Sequence, residues 1–206
     1  MAGIHVPGHT ELLARLTGTG RYAMMLVGGP LRVVLVTRHI PLSKVPGKVT
    51  VDAIGAAAEL AWRSLPWLGV KERKVAICGL NPHAGDGGVL GREELDVIIP
   101  AVRRLRRKGM NVIGPLAADT VFNGAMKGRY GVVVAMYHDQ GLAPLKTIAF
   151  DSGVNITLGL PIVRTSPDHG TAFDIAGKGL ASPLSMINAV KLAHRLALRP
   201  NPWSRG

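Results

Sequence analysis

At 206 residues, 47% of them hydrophobic, the chain is long enough for one large domain or one and a half ordinary ones and can fill a core, which argues against a disordered chain. Lys and Arg outnumber Asp and Glu by 25 to 13, and the net charge of +12 favours acidic partners: phosphorylated small molecules, nucleic acid or an anionic surface. A single cysteine excludes an internal disulfide framework, and no apolar run approaches the roughly 18 residues that span a membrane.

Residues 1–10 read as a loop carrying His5 and His9, too abrupt a start for a domain, so further sequence upstream of Met1 is expected. They show no basic stretch followed by an apolar run, the mark of a secretory signal, and a reducing, cytoplasmic compartment is expected. Thr10 is placed to cap a short helix from Glu11 to Leu16. Tyr22–Val27 and Leu31–Thr37 read as strands joined by the turn Gly28-Gly29-Pro30. A helix follows from Val49 to Leu65, stopped by Pro66. Lys74–Gly79 is the next strand, with Cys78 as a small core residue.

Glu93–Lys108 repeats apolar residues at helical spacing (Leu95, Ile98, Ile99, Val102, Leu105) and ends at Gly109. Its run Arg103-Arg104-Leu105-Arg106-Arg107-Lys108 fits a solvated helix end, where cations complement the helix dipole. Asn111–Ile113 is a short strand, Pro115–Thr120 a loop, and Gly131–Tyr137 the clearest strand of all. Val154–Leu160 is another strand, Pro167–Gly179 a glycine-rich segment, and Ser182 or Pro183 opens a last helix to about Leu198. Strands alternating with helices predict an α/β class with a mainly parallel sheet.

His39, His83 and His138 each follow a predicted strand directly. Ligands bind at that edge of open α/β sheets, and three imidazoles can share one divalent cation while leaving positions open; strand-end histidines also occur without converging. His83 lies in Gly79-Leu80-Asn81-Pro82-His83-Ala84-Gly85-Asp86-Gly87-Gly88, where glycines let backbone approach a ligand. Asp86, Asp119 and Asp139 lie in the same kind of loop and could orient the histidines or assist proton transfer. Lys146, Asn155 and Arg164 follow, and Lys and Arg are the usual binders of phosphate and carboxylate, although for each residue taken alone a surface role is the commoner one. The run from Asp168 to Gly179 brackets polar side chains with glycines, a way to bring backbone N–H groups to a nucleotide. It carries neither GxGxxG after a strand nor GxxxxGK[ST], so the ordinary dinucleotide fingerprint and the ATP P-loop are not indicated.

The stretches GHTE (8–11), RHIPL (38–42), GLNPHAGDGG (79–88), IGPLAADT (113–120), AMYHDQGLAPLK (135–146) and GVNITLGLPIVRTSPDHGTAFDIAGKG (153–179) resemble the 4-hydroxythreonine-4-phosphate dehydrogenase family of vitamin B6 biosynthesis. They stand in order from about Gly3 to Leu196, and HGTA…DIAGKG is also similar to the cofactor loop of isopropylmalate and isocitrate dehydrogenases. The resemblance implies the two-domain fold of that wider group. Residues 1–206 would form a partial version, with about 20–140 as the more complete domain and 1–19 and 141–206 belonging to the cleft and the truncated domain.

It implies NAD- or NADP-dependent oxidation and decarboxylation of 4-phosphooxy-L-threonine to 3-amino-2-oxopropyl phosphate, with one divalent metal (Zn, Mg or Co) per site. His39, His83 and His138 become the metal ligands, one coming from the partner of a homodimer. His9, Thr10, Lys146, Asn155 and Arg164 become substrate contacts, and Asp119 and Lys146 candidates for proton transfer. His169, Gly170, Thr171, Ala172 and Asp174 would border the cofactor. The family's GDPAGIGPE-type stretch and Thr-x-Pro-x-x-Lys motif precede GHT and have no counterpart here, so the chain corresponds to roughly the last three-fifths of the pattern. Two alternatives remain at this level: a relative acting on D-threonate or D-erythronate 4-phosphate, and a chain that binds metal or partners without turnover. A nucleic-acid binder is disfavoured, because aromatics are 4% of the chain and do not interleave with the basic run.

Overall fold

A computed structural model describes residues 6, 8–170 and 172–204. His5, and Thr171 of the expected cofactor set, lie outside the described residues. Seven strands form one sheet in the order β4-β3-β5-β2-β1-β6-β7: β1 Ala23–Gly28, β2 Leu31–Leu35, β3 Val75–Cys78, β4 Val112–Leu116, β5 Val132–Ala135, β6 Val154–Leu158 and β7 Thr165–Pro167. β4, β3, β5 and β2 run parallel to one another, whereas β1, β6 and β7 continue the sheet with antiparallel pairings. The Gly28-Gly29-Pro30 turn makes β1 and β2 a hairpin, with Gly28 opposite Leu31. The sheet is continuous past residue 140, joining β6 and β7 to the strands before them.

The helices are α1 His9–Leu16, α2 Val51–Trp67, α3 Ile99–Arg107, α4 Ala118–Met126, α5 His138–Ala149 and α6 Leu184–Ala197. Successive residues of β3 and β5 enter opposite cores. Val75, Ile77, Val132 and Val134 pack with α2, α3 and α6, while Ala76, Cys78, Val133 and Ala135 pack with α4 and α5. Strands buried on both faces read as unbroken apolar runs, and this is why they were legible.

Four departures from the expected elements have local causes. Pro66 does not stop α2: so near the end it forfeits one hydrogen bond, and Leu68 N–H still reaches Ser64 O at 2.9 Å. The long helix expected from Glu93 begins as a π turn over Glu94–Ile98, which absorbs the missing N–H of Pro100 before α3. α4 begins inside the loop expected over Pro115–Thr120, and α5 at His138-Asp139, where a loop was also expected; Pro115, Gly141 and Pro144 look like breakers. β7 was not anticipated; its three residues hydrogen-bond to β6 at the sheet edge.

Gly141 is where α5 lies closest to the sheet. A Cβ there would stand 2.6 Å from Val33 Cγ1, 2.9 Å from Leu35 Cδ2 and 3.0 Å from Ala135 Cβ. Gly141→Ala is therefore expected to cost about 2 kcal/mol through overpacking, read as a fall of roughly 5 °C in Tm for a chain of this size.

Candidate active site

The parallel strands determine which histidines meet. Beyond Leu35 the chain stays zipped to the strand beside it: Val36 N–H donates to Ala135 O at 2.9 Å, and Thr37 donates to Met136 O through both N–H (3.1 Å) and Oγ1 (2.7 Å). Arg38-His39 is thereby carried alongside Tyr137-His138. The rings of His39 and His138 face each other with centroids 5.4 Å apart, tilted by 50°. His138 opens α5, and its Nδ1 lies 2.7 Å from Asp139 Oδ1. A carboxylate partner there favours the Nδ1–H tautomer and leaves Nε2 with its lone pair free.

His83 follows β3, one strand beyond β5, in an exposed turn. From His83 to Gly87 every residue has positive φ, including the non-glycines His83 (52°), Ala84 (54°) and Asp86 (43°). Each such non-glycine costs about 1–2 kcal/mol, so the turn persists only because its surroundings hold it. Among the described residues no three His, Cys, Asp or Glu side chains gather as a metal-holding group, so His83 does not complete a triad with its own chain's pair.

Beside His39 opens a cleft of about 620 Å³. It gathers His9, Thr10, His39, Asn155 and Arg164, five of the expected site residues, from α1, the end of β2, β6 and the approach to β7. Arg164 Nη1 donates to Thr10 Oγ1 at 3.1 Å and to Thr157 Oγ1 at 2.8 Å. Half-burial pushes the Arg164 guanidinium down from its ordinary value, with Glu11 opposing. Asn155 Oδ1 is buried without a hydrogen-bond partner among the described residues, an acceptor free for a ligand. Glu11, Arg38 and Lys48 also line the cleft; none was expected in the site, because a single charge carries no pattern.

Lys146 faces a second cleft, of about 500 Å³, with His169, Gly170, Ala172 and Gly177. Its Nζ stands 3.5 Å from Asp168 Oδ2 and donates to Asp168 O at 3.3 Å. Burial pushes the Asp168 carboxyl up; Lys146, His138 and His169 oppose that shift. At Gly170 and Gly177 a side chain would meet nothing within 4 Å, so the backbone there is open to a ligand. Asp174 sits in an exposed 3-10 turn, Phe173–Ile175, and does not line this cleft. Asp119, exposed in the first turn of α4, borders a separate hollow of about 460 Å³ with Arg129 and Tyr130.

Two supporting residues escaped the sequence reading. Gln140 Nε2 donates to Gly79 O at 2.8 Å and its Oε1 accepts from Met136 N–H at 2.7 Å, tying the exits of β3 and β5 together. Glu94 is 2% exposed and accepts from Leu80 N–H (2.7 Å), Asn81 N–H (2.8 Å) and Asn81 Nδ2 (2.9 Å). A carboxylate in a helical run looks like a surface group; only the fold turns it inward.

The model of the pyridoxal phosphate biosynthetic protein PdxA family matches residues 1–193. A 4-hydroxythreonine-4-phosphate dehydrogenase of Ruegeria sp. (strain TM1040) is 52% identical over 202 residues, covering 98% of this chain and 62% of that protein. A putative D-threonate 4-phosphate dehydrogenase of Bradyrhizobium diazoefficiens is 47% identical, covering 95% and 60%. The crystal structure of 4-hydroxythreonine-4-phosphate dehydrogenase from Klebsiella pneumoniae superposes with a TM-score of 0.87 at 47% identity, covering 95% of this chain and 60% of that one. Isocitrate dehydrogenase from Methylococcus capsulatus shares the fold alone, with a TM-score of 0.57 at 16% identity. The chain thus spans about three-fifths of the length of the relatives it matches.

Proposed function

The chain belongs to the PdxA family of pyridoxal phosphate biosynthetic proteins, and from that premise we propose that it carries out NAD-dependent, metal-dependent oxidation and decarboxylation of 4-phosphooxy-L-threonine in the cytoplasm as a homodimer. The observation that carries the reading is the cleft in which His9, Thr10, Asn155 and Arg164 converge beside the His39–His138 pair. Its basic and hydrogen-bonding lining suits a substrate with phosphate at one end and an amino acid carboxylate at the other.

His39 and His138 fit two corners of a divalent metal site, each offering an imidazole nitrogen, and His83 of the partner subunit would be the third ligand. A metal held there would supply Lewis acidity toward the substrate hydroxyl, and NAD held along the second cleft would supply the hydride acceptor. Arg164, fixed by Thr10 and Thr157, holds an anionic group of the substrate. Asn155 Oδ1 accepts from a substrate donor. Hydride and proton loss convert the hydroxyl to a ketone β to the carboxylate; CO₂ then leaves, and the carbon it vacates takes up a proton. Lys146, on the same helix as His138 and against the cofactor cleft, is the assigned proton donor. Asp119, the other candidate for proton transfer, opens on a different hollow of the same chain.

The test is NADH formation, followed by absorbance, from NAD⁺ and 4-phosphooxy-L-threonine. A chelator is expected to abolish the rate and added Zn²⁺, Mg²⁺ or Co²⁺ to restore it. No rate from folded, metal-replete dimer would overturn the reading. The Bradyrhizobium relative supports a second reading, D-threonate 4-phosphate as substrate. A higher kcat/KM on that compound would favour it.

A further inference from the structure

We propose that Glu94 is a positioning residue for His83, holding the turn that presents this imidazole without touching substrate itself. The inference rests on the reading of His83 as a metal ligand and names the group that fixes it.

The geometry is specific. Glu94 begins the π turn before α3, yet its carboxylate is turned inward and 2% exposed. Its hydrogen-bond donors all come from the two residues that precede Pro82-His83: the N–H groups of Leu80 and Asn81 on Oε1, and the Asn81 side-chain amide on Oε2. Asn81 Nδ2 also donates to Glu93 Oε2 at 2.7 Å, which lowers the Glu93 carboxyl below its ordinary range. The glycines on either side of His83 make room for the same group. A Cβ on Gly79 would lie 3.0 Å from Glu94 Oε1, and one on Gly85 2.5 Å from Oε2. Glu94 therefore grips the turn on both flanks of the histidine.

A left-handed run through His83, Ala84 and Asp86 is not self-supporting, and an isolated buried carboxylate is unfavourable. Each resolves the other: the loop supplies N–H donors, and the carboxylate fixes the loop. The strain then places the imidazole on an exposed turn beyond the sheet edge, where a second chain can reach it.

The test is Co²⁺ binding by calorimetry to metal-free Glu94→Ala, Glu94→Gln, His83→Ala and the His83→Ala/Glu94→Ala double variant, with amide exchange at Leu80 and Asn81. Removing a group that orients a ligand weakens metal binding about 10- to 100-fold, the loss expected for Glu94→Ala. Glu94→Gln, which keeps one oxygen for the two backbone donors, should recover most of it and protects the test if the alanine variant does not fold. The double variant should bind no more weakly than His83→Ala alone, and Leu80 and Asn81 amides should exchange faster in Glu94→Ala. Unchanged Co²⁺ affinity in both Glu94 variants, or an undiminished effect of Glu94→Ala in the His83→Ala background, would overturn the proposal. If His83→Ala itself binds Co²⁺ like the parent, the ligand reading fails instead. The His83 imidazole NMR signals then decide: displaced in Glu94→Ala they uphold the positioning role, unmoved they sink it.

Discussion

Mixing His83→Ala chains with His138→Ala chains is expected to return activity that neither has alone. Each variant by itself should lose at least roughly 10³-fold in kcat/KM, about 4 kcal/mol of transition-state stabilisation, because a three-ligand site short of one imidazole holds its metal poorly. In a symmetric dimer with sites shared between subunits, a mixed pair places both substitutions in one site and leaves the other intact. Random exchange would recover about a quarter of the parent activity. The basis is the pairing of His39 with His138, from neighbouring strands, while His83 completes no such group within its own chain. Mixed dimers isolated with two affinity tags and found inactive would show that all three ligands act within one subunit.

Arg164→Met is expected to raise KM for the phosphorylated substrate about 100-fold with a smaller change in kcat, a loss near 3 kcal/mol, typical of one charge-assisted contact in a half-buried site. Arg164→Lys should recover little of it. The guanidinium spans Thr10 Oγ1 and Thr157 Oγ1 through one nitrogen and keeps its others for the ligand, a division of donors that a single ammonium cannot reproduce. Steady-state kinetics at saturating NAD⁺ would check both variants. A loss confined to kcat, with KM unchanged, would move Arg164 from substrate binding to the chemical step. Thr157, 2% exposed, keeps the arginine extended from behind, so Thr157→Val should show a weaker form of the same defect.

How much of this could be read in the chain beforehand depended on burial. β3 and β5 were plain because apolar side chains on both faces leave nothing else for such runs to be. α5 was hidden because Gly141 and Pro144 resemble breakers; Gly141 in fact serves close packing against Val33 and Leu35. The residues of the larger cleft were marked by their types and motifs, and His9, Thr10, His39, Asn155 and Arg164 do meet. Their separation from Lys146 and Asp119 could not be read, because it depends on which sheet edge and which helix each follows. Glu94 carried no mark at all, and Gln140 stood in a quoted stretch with no role attached to it. Their roles arise from the approach of Gly79 and Asn81, which belong to the neighbouring strand exit.

The two-sided burial of β3 and β5 separates the molecule into a part that bears load and a part that can vary. Neither strand holds an ionisable side chain apart from the Cys78 thiol, which burial pushes up to about 12 and so keeps inert. The three histidines enter where strands have ended, whereas Asn155 and Thr157 belong to β6 itself. A change of substrate can therefore be written largely in the segments around 38–48, 79–91 and 159–183, with Asn155 of β6 and the start of α1 also facing the cleft. β3 and β5 need register none of it, just as a chassis is indifferent to the tool bolted to it. Selection or engineering for a new phosphorylated acid should accumulate its substitutions there and leave β3 and β5 as they stand.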